Sequence, residues 1–252
     1  MQLLVTTFAA VLGWLLFRTR RRRPRLAHSV IVTPAGSTVF EANGGVRSVQ
    51  SALLTLPESD LVRLWEPVNL ENLGRTYWLF LTRATLGLIR VVYTENERRV
   101  VLLSPRLTLL RFDAPDYTLE PRHGNIRWRI KDGLLVARSG RSRGWLSVDV
   151  RRIDAGTAPE SPLQPGAGPA GPAPGDPASL RMAELRIDVE VANFYPAIAS
   201  SLGRFVYEGT QAFVHVLVTH AFLRSLGRLE LKQSRVGRLQ VNADGDLETV
   251  PN

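Results

Sequence analysis

The spacing of apolar positions changes three times along the chain, and each change predicts an element. Residues 1–17, MQLLVTTFAAVLGWLLF, carry no charge. A helix of that length covers about 25 Å, the short end of what spans a bilayer core. Helical signals return at TLPESDLVRLW, where Thr55 and Glu58 have capping-box spacing and Pro57 sits near the first turn. A second helix opens at Asn69 and puts Leu70, Leu73, Tyr77, Leu81 and Ala84 on one core-facing stripe before Gly87.

From Leu88 the period becomes two. LIRVVYTENERRVVLL reads as two strands around a polar turn, RLTLLRF as a third, and GWLSVDVRRI as another. NIRWRIKDGLLVAR reads as a hairpin about Asp132-Gly133, with Ile126, Trp128 and Ile130 on one face and Arg127, Arg129 and Lys131 on the other. Further on, Leu185, Ile187, Val189 and Val191 alternate with Glu184, Arg186, Asp188 and Glu190, an acidic face that suits pairing beside the basic one. From Pro196 to about Leu229 a long helix is predicted, with Leu202, Phe205, Val206, Phe213, Val216, Leu217, His220 and Leu223 on one face. Arg204, Tyr207, Gln211, His215, Val218 and Phe222 fall on the opposite face.

Between the last strands lies Asp154–Leu180, rich in Pro, Gly and Ala, which cannot bury enough surface to offset its ordering entropy. It reads as a flexible insertion within one domain, because the strand after it needs a partner before it. The organisation expected is therefore a transmembrane signal-anchor at 1–17, a polybasic juxtamembrane segment at 18–26, and a single α+β domain at 27–252 interrupted at 154–180. That domain would have a curved antiparallel sheet of about six or seven strands packed on the long C-terminal helix.

Charge places the chain in the cell. Arg18, Arg20, Arg21, Arg22, Arg23 and Arg25 supply two thirds of the net charge of +9, and no acid lies among residues 1–25. A cleaved signal would have its positive charge before the apolar run and a small-residue cleavage site after it. Here the order is reversed, so the arginines stay on the cytosolic side and contact anionic headgroups. The N-terminus is expected outside the inner (cytoplasmic) membrane and the domain in the cytosol. Because the excess charge is concentrated next to the span, nucleic-acid binding is not expected. The absence of cysteine excludes disulfides, thiol catalysis and Cys-based metal sites.

Candidate chemistry is sparse. His215 and His220 are five apart, about 140° around a helix, and cannot grip one ion as an i, i+4 pair would. His220 reads as a core histidine with one hydrogen bond. His215 follows Tyr207 and Gln211 on one stripe, a row suited to orienting the polar end of a ligand. Asp113 and Asp116 read as turn residues, and the loop bearing Arg141 and Arg143 as solvated. No catalytic residue, metal or cofactor is expected.

A first strand at HSVIVTP or STVFEA, two helices, a run of antiparallel strands and a closing helix resembles the START-like, helix-grip superfamily in layout, over roughly His28 to Leu229. That resemblance implies a curved sheet wrapped on the last helix around an apolar cavity for lipids, sterols or other hydrophobic ligands. The function expected is a non-catalytic, membrane-anchored cytosolic module binding such a ligand. The alternatives are a protein-docking adaptor or structural module at the inner membrane with no cavity, and a START-like hydrolase or cyclase.

Overall fold

The computed structural model describes residues 30–31, 35–94, 96–153, 181–197, 215–216, 218–227, 231–233, 238–242 and 246–250. The expected anchor at 1–17, the arginines at 18–25 and the insertion at 154–180 lie outside the described residues. Among those described, no helix is long and apolar enough to cross a membrane.

Ten antiparallel strands form one sheet, in place of the six or seven expected. Short β1 (Val30–Ile31) and β2 (Ala35–Phe40) both pair along one edge of β3 (Val46–Pro57). Helices α1 (Glu58–Leu64) and α2 (Pro67–Ala84) follow. The chain then lays down β4 (Ile89–Tyr93), β5 (Glu97–Leu102), β6 (Thr108–Asp113), β7 (Asp116–Leu119), β8 (His123–Asp132), β9 (Trp145–Ile153) and β10 (Met182–Phe194). The spatial order is β1-β3-β10-β9-β8-β6-β5-β4, with β7 beside β8. A separate hairpin of β11 (Arg238–Val241) and β12 (Leu247–Val250) lies with β11 against α2.

The extra strands have local causes. β3 alternates cleanly, but two of its inward positions are Ser48 and Gln50, so it lacks the apolar signature of a core strand. Thr55, expected to cap a helix, is a β3 residue paired with Val30 and Glu184, and Pro57 holds the cap position of α1 without a side-chain bond. α2 starts at Pro67, two residues before the expected Asn69, because proline at N1 loses no helical bond. Asp132-Gly133 does not close a hairpin: Leu134 and Leu135 donate to Thr108 and Leu109, and β8 pairs with β9 instead. Asp113 ends β6 and Asp116 begins β7, so the turn between them is shorter than expected.

The long C-terminal helix is also corrected. Pro196 is bridged to Val136 and the Ala197 amide donates to Leu135, so the chain is still extended where that helix was to begin. At the far end helix gives way at Gly227, and the Lys232 amide donates to Thr76 Oγ1 at 2.9 Å. What the structure describes is a short α3, helical at 215, 216 and 218–226; residues 198–214 lie outside the description. Among the described residues the longest helix is α2, which lies on the face of the sheet expected to hold the last one.

α2 and α3 cover the inner face of the sheet. Leu70, Leu73, Tyr77 and Trp78 of α2 and Val218, Phe222, Leu223 and Leu226 of α3 are buried there against Leu54, Leu56, Ile126, Trp128, Val148, Leu185 and Ile187. Each such apolar side chain contributes about 1.5–3 kcal/mol by leaving water. Gly74 sets the spacing: a Cβ there would lie 2.8 Å from Trp128 Cζ2. The outer face carries ion pairs, among them Arg47–Glu190 at 2.7 Å and Arg186–Asp188 at 3.0 Å. The acidic face of β10 finds its partners on β3 and within itself, because β3 and β9, not β8, flank it.

Candidate functional site

Of the row expected to meet a ligand, Tyr207 and Gln211 lie outside the described residues. His215 stands on the first described turn of α3 and does not face solvent. Its Nδ1 is 3.5 Å from the Tyr77 hydroxyl. The residue as a whole is half-buried, and its Nε2 is shut away from water with no hydrogen-bond partner among the described residues. Burial therefore pulls the imidazole down to about 4, and His220 nearby adds to the shift. The Tyr77 phenol is pushed up to about 12 by its own burial. Thr219 is close enough to ease that shift, yet its Oγ1 makes no hydrogen bond of good geometry among the described residues.

The two faces of α3 do not divide as expected. Val218 and Phe222, assigned to the polar face, are 1% and 0% exposed. Phe222 meets Tyr77 edge-on at 5.4 Å and Phe80 at 6.3 Å. His220, expected in the core, is only half-buried; its Nε2 bonds to Gln50 Oε1 at 2.8 Å, and burial lowers its pKa as well.

The depressed pKa of His215 gives a pH dependence. Its folded value of about 4 lies below its ordinary 6.5, so protonation favours the unfolded chain. The contribution is complete above about pH 6.5 and is lost progressively as pH falls towards 4. The thermal midpoint is expected to drop across that window in the native chain and to drop less in His215→Gln.

A cavity of about 80 Å³ opens at the other end of α2, between the helices and the sheet. Leu54, Leu70, Leu73, Val150, Leu185 and Leu226 form its walls, and Trp65, Glu66 and Asn69 also border it. Two of these polar groups are already engaged: Trp65 Nε1 donates to the Glu120 carbonyl at 2.9 Å, and Asn69 Nδ2 to the Arg63 carbonyl at 3.2 Å. Gly124 of β8 is part of the wall, and a Cβ there would meet only Leu119 and Leu70 methyls at 3.5 Å. The cavity can take apolar matter without breaking a hydrogen bond.

Midway along α2 the interior is charged. Arg98 of β5 is 3% exposed and Glu71 of α2 is 4% exposed. Tyr117 donates to Glu71 Oε2, Arg98 Nη1 donates to the Thr94 carbonyl at 2.6 Å, and Arg75 and Arg98 lie over the Tyr93 ring at 4.4 and 5.2 Å. Burial lowers the Arg98 pKa, and the Glu71 carboxylate opposes that shift. The arrangement is a cluster of two cations and one carboxylate that fixes α2 to β4, β5 and β7. No group of acids and histidines suited to a metal ion occurs among the described residues.

No family model and no curated protein matches the chain. Among solved structures, it is similar to an uncharacterized protein of Rhizobium leguminosarum at 14% identity, over 71% of this chain and 98% of that one. The TM-score is 0.26, too low for that similarity to carry an argument.

The sequence reading took an apolar cavity only from the START-like resemblance and named none of its walls, and it missed Gly124 and the Glu71–Arg98 cluster. Arg98 sits in an ERRVVL strand whose period puts it inward with Val100, and that phase was the available signal. Glu71 gave none, since its helix position adjoins Leu70 and reads as surface.

Proposed function

We propose that the chain is a non-catalytic module held at the inner membrane, whose cytosolic domain binds a lipid or other small hydrophobic ligand. The observation that carries this reading is the apolar cavity bounded by α1, α2, α3 and the sheet. A dry cavity of about 150 Å³ holds a benzene. A volume of about 80 Å³ suits the end of an alkyl chain, with the polar end left near Trp65, Glu66 and Asn69. The strand order supports the START-like resemblance: β3, which precedes the helices, pairs with β10, the last strand before α3. The uncharged 1–17 and the arginines after it support a single-pass anchor with its N-terminus outside.

Gly124 provides the test. In Gly124→Val the Cβ meets only the Leu119 and Leu70 methyls, at ordinary contact distance, and the two further carbons take up cavity volume; the variant is used if its thermal midpoint without ligand matches that of the native chain. Fatty acids, isoprenoids or sterol-like compounds are expected to raise the thermal midpoint of the native chain in lipid discs and to leave that of Gly124→Val unmoved. The small volume favours a second reading, a protein-docking adaptor, and absence of any response in the native chain decides for it.

A further inference from the structure

Three turns meet at the end of the sheet where α2 stops. Leu86 and Leu88 lie between α2 and β4, Leu103 and Leu107 between β5 and β6, and Leu134 just after β8. Their backbones are tied together: Leu103 N donates to the Leu88 carbonyl at 2.8 Å, Leu102 N to Leu107 at 2.9 Å, and Leu134 N to Thr108 at 3.1 Å. The five leucines are 54%, 39%, 57%, 45% and 60% exposed. Isolated exposed leucines are ordinary, but five on three hydrogen-bonded turns form a patch. Leu86 and Leu103 have φ of 55° and 58°, the left-handed region that a leucine enters at a cost.

The charges around this patch have one sign. Residues 83–90 and 102–108 contain Arg83, Arg90 and Arg106 and no acid, and 133–137 contain no charge. All three arginines are exposed, and none forms an ion pair among the described residues. Arg90 instead donates to the Leu103 carbonyl at 2.6 Å, which fixes its guanidinium beside the turn. The acid next in the chain, Asp132, is already engaged by Arg111 at 3.2 Å.

We infer that these turns form a membrane-docking tip, in which the leucines enter the interfacial layer of a bilayer and Arg83, Arg90 and Arg106 contact anionic headgroups. Projecting leucines ringed by unpaired arginines match an anionic lipid surface in both polarity and charge. A protein partner would have to supply its own acids around an apolar hollow. The tip lies at the opposite end of α2 from the apolar cavity. The inference goes beyond the ligand reading, and it stands or falls without the cavity.

The chain has no cysteine, so one introduced cysteine gives a unique label in the full-length protein. Leu107→Cys and Leu134→Cys would carry an environment-sensitive fluorophore, with exposed Thr118→Cys on β7 as the control position. With vesicles of mixed phosphatidylcholine and phosphatidylglycerol, emission at 107 and 134 is expected to rise several-fold, and lipid-borne quenchers should reduce it. The rise should be absent with phosphatidylcholine alone, weaken as salt is raised, and be largely lost when Arg83, Arg90 and Arg106 are changed to Gln. Any membrane contact made by residues 1–25 is common to all these proteins and does not change the comparison. An equal signal on neutral vesicles, retention in the arginine variant, or an equal rise at 118 overturns the inference. A rise that follows protein concentration without vesicles also overturns it, in favour of contact between copies of the chain.

Discussion

Trp128→Ala is expected to cost about 3–5 kcal/mol of stability, enough to unfold a marginal domain at physiological temperature. The indole is 1% exposed, meets Trp78 edge-on at 5.2 Å, and lies under Gly74 where α2 comes nearest to β8. Phe112 packs on the far side of Trp78 at 5.3 Å, so the ring stack extends from β8 to β6. Removing the ring at the β8 end of such a stack leaves a void that α2 and the sheet would have to close. Urea unfolding followed by circular dichroism gives the number. A loss below about 1 kcal/mol would mean that Trp128 is not the contact on which α2 rests.

Glu71→Ala is expected to cost a similar amount, about 3–5 kcal/mol, for an electrostatic reason. It removes the carboxylate that offsets the buried charge of Arg98 and accepts the Tyr117 hydroxyl. Arg75 close by raises the cost, because its like charge already disfavours Arg98 as a cation. The decisive comparison is a double-mutant cycle with Arg98→Met. Once the guanidinium is replaced by an apolar group of similar length, loss of Glu71 should be far less harmful, and the double variant should be more stable than Glu71→Ala alone. Strict additivity of the two changes would show that the pair does not act as one unit.

Much of the sheet was legible because period-two patterns survive wherever one face is solvated. β4, β5, β6, β9 and β10 fall where their alternation predicts them, and Leu70, Leu73 and Tyr77 are buried as their helical stripe requires. The exceptions share a cause: the inward residue was polar, or a local signal competed with a distant partner. Ser48 and Gln50 hide β3, and Gln50 is inward because His220, 170 positions away, bonds to it. Thr55 has capping spacing, but pairing on both edges of β3 outweighs one side-chain bond. The polar row on the last helix was less legible still. Val218 and Phe222 share the side assigned to His215, yet both are buried because α2 lies against that side with Tyr77 and Phe80. Helical phase tells which residues share a face, but not how many faces are covered.

The pairing of β3 with β10 sets an order of events during synthesis. Ser51 and Asp188 hydrogen-bond across these strands from positions 137 apart in the chain. At roughly 5–20 residues per second on the ribosome, β3 waits roughly 7–30 s for that partner. β2 is available at once, and its six-residue register from Ala35↔Ser51 to Phe40↔Val46 occupies the opposite edge of β3. The nascent chain therefore has a hairpin ready long before the sheet can close. β1 and β2, which add little to the finished core, shield one edge of this twelve-residue strand through the interval when it is most prone to pair with a neighbouring polypeptide.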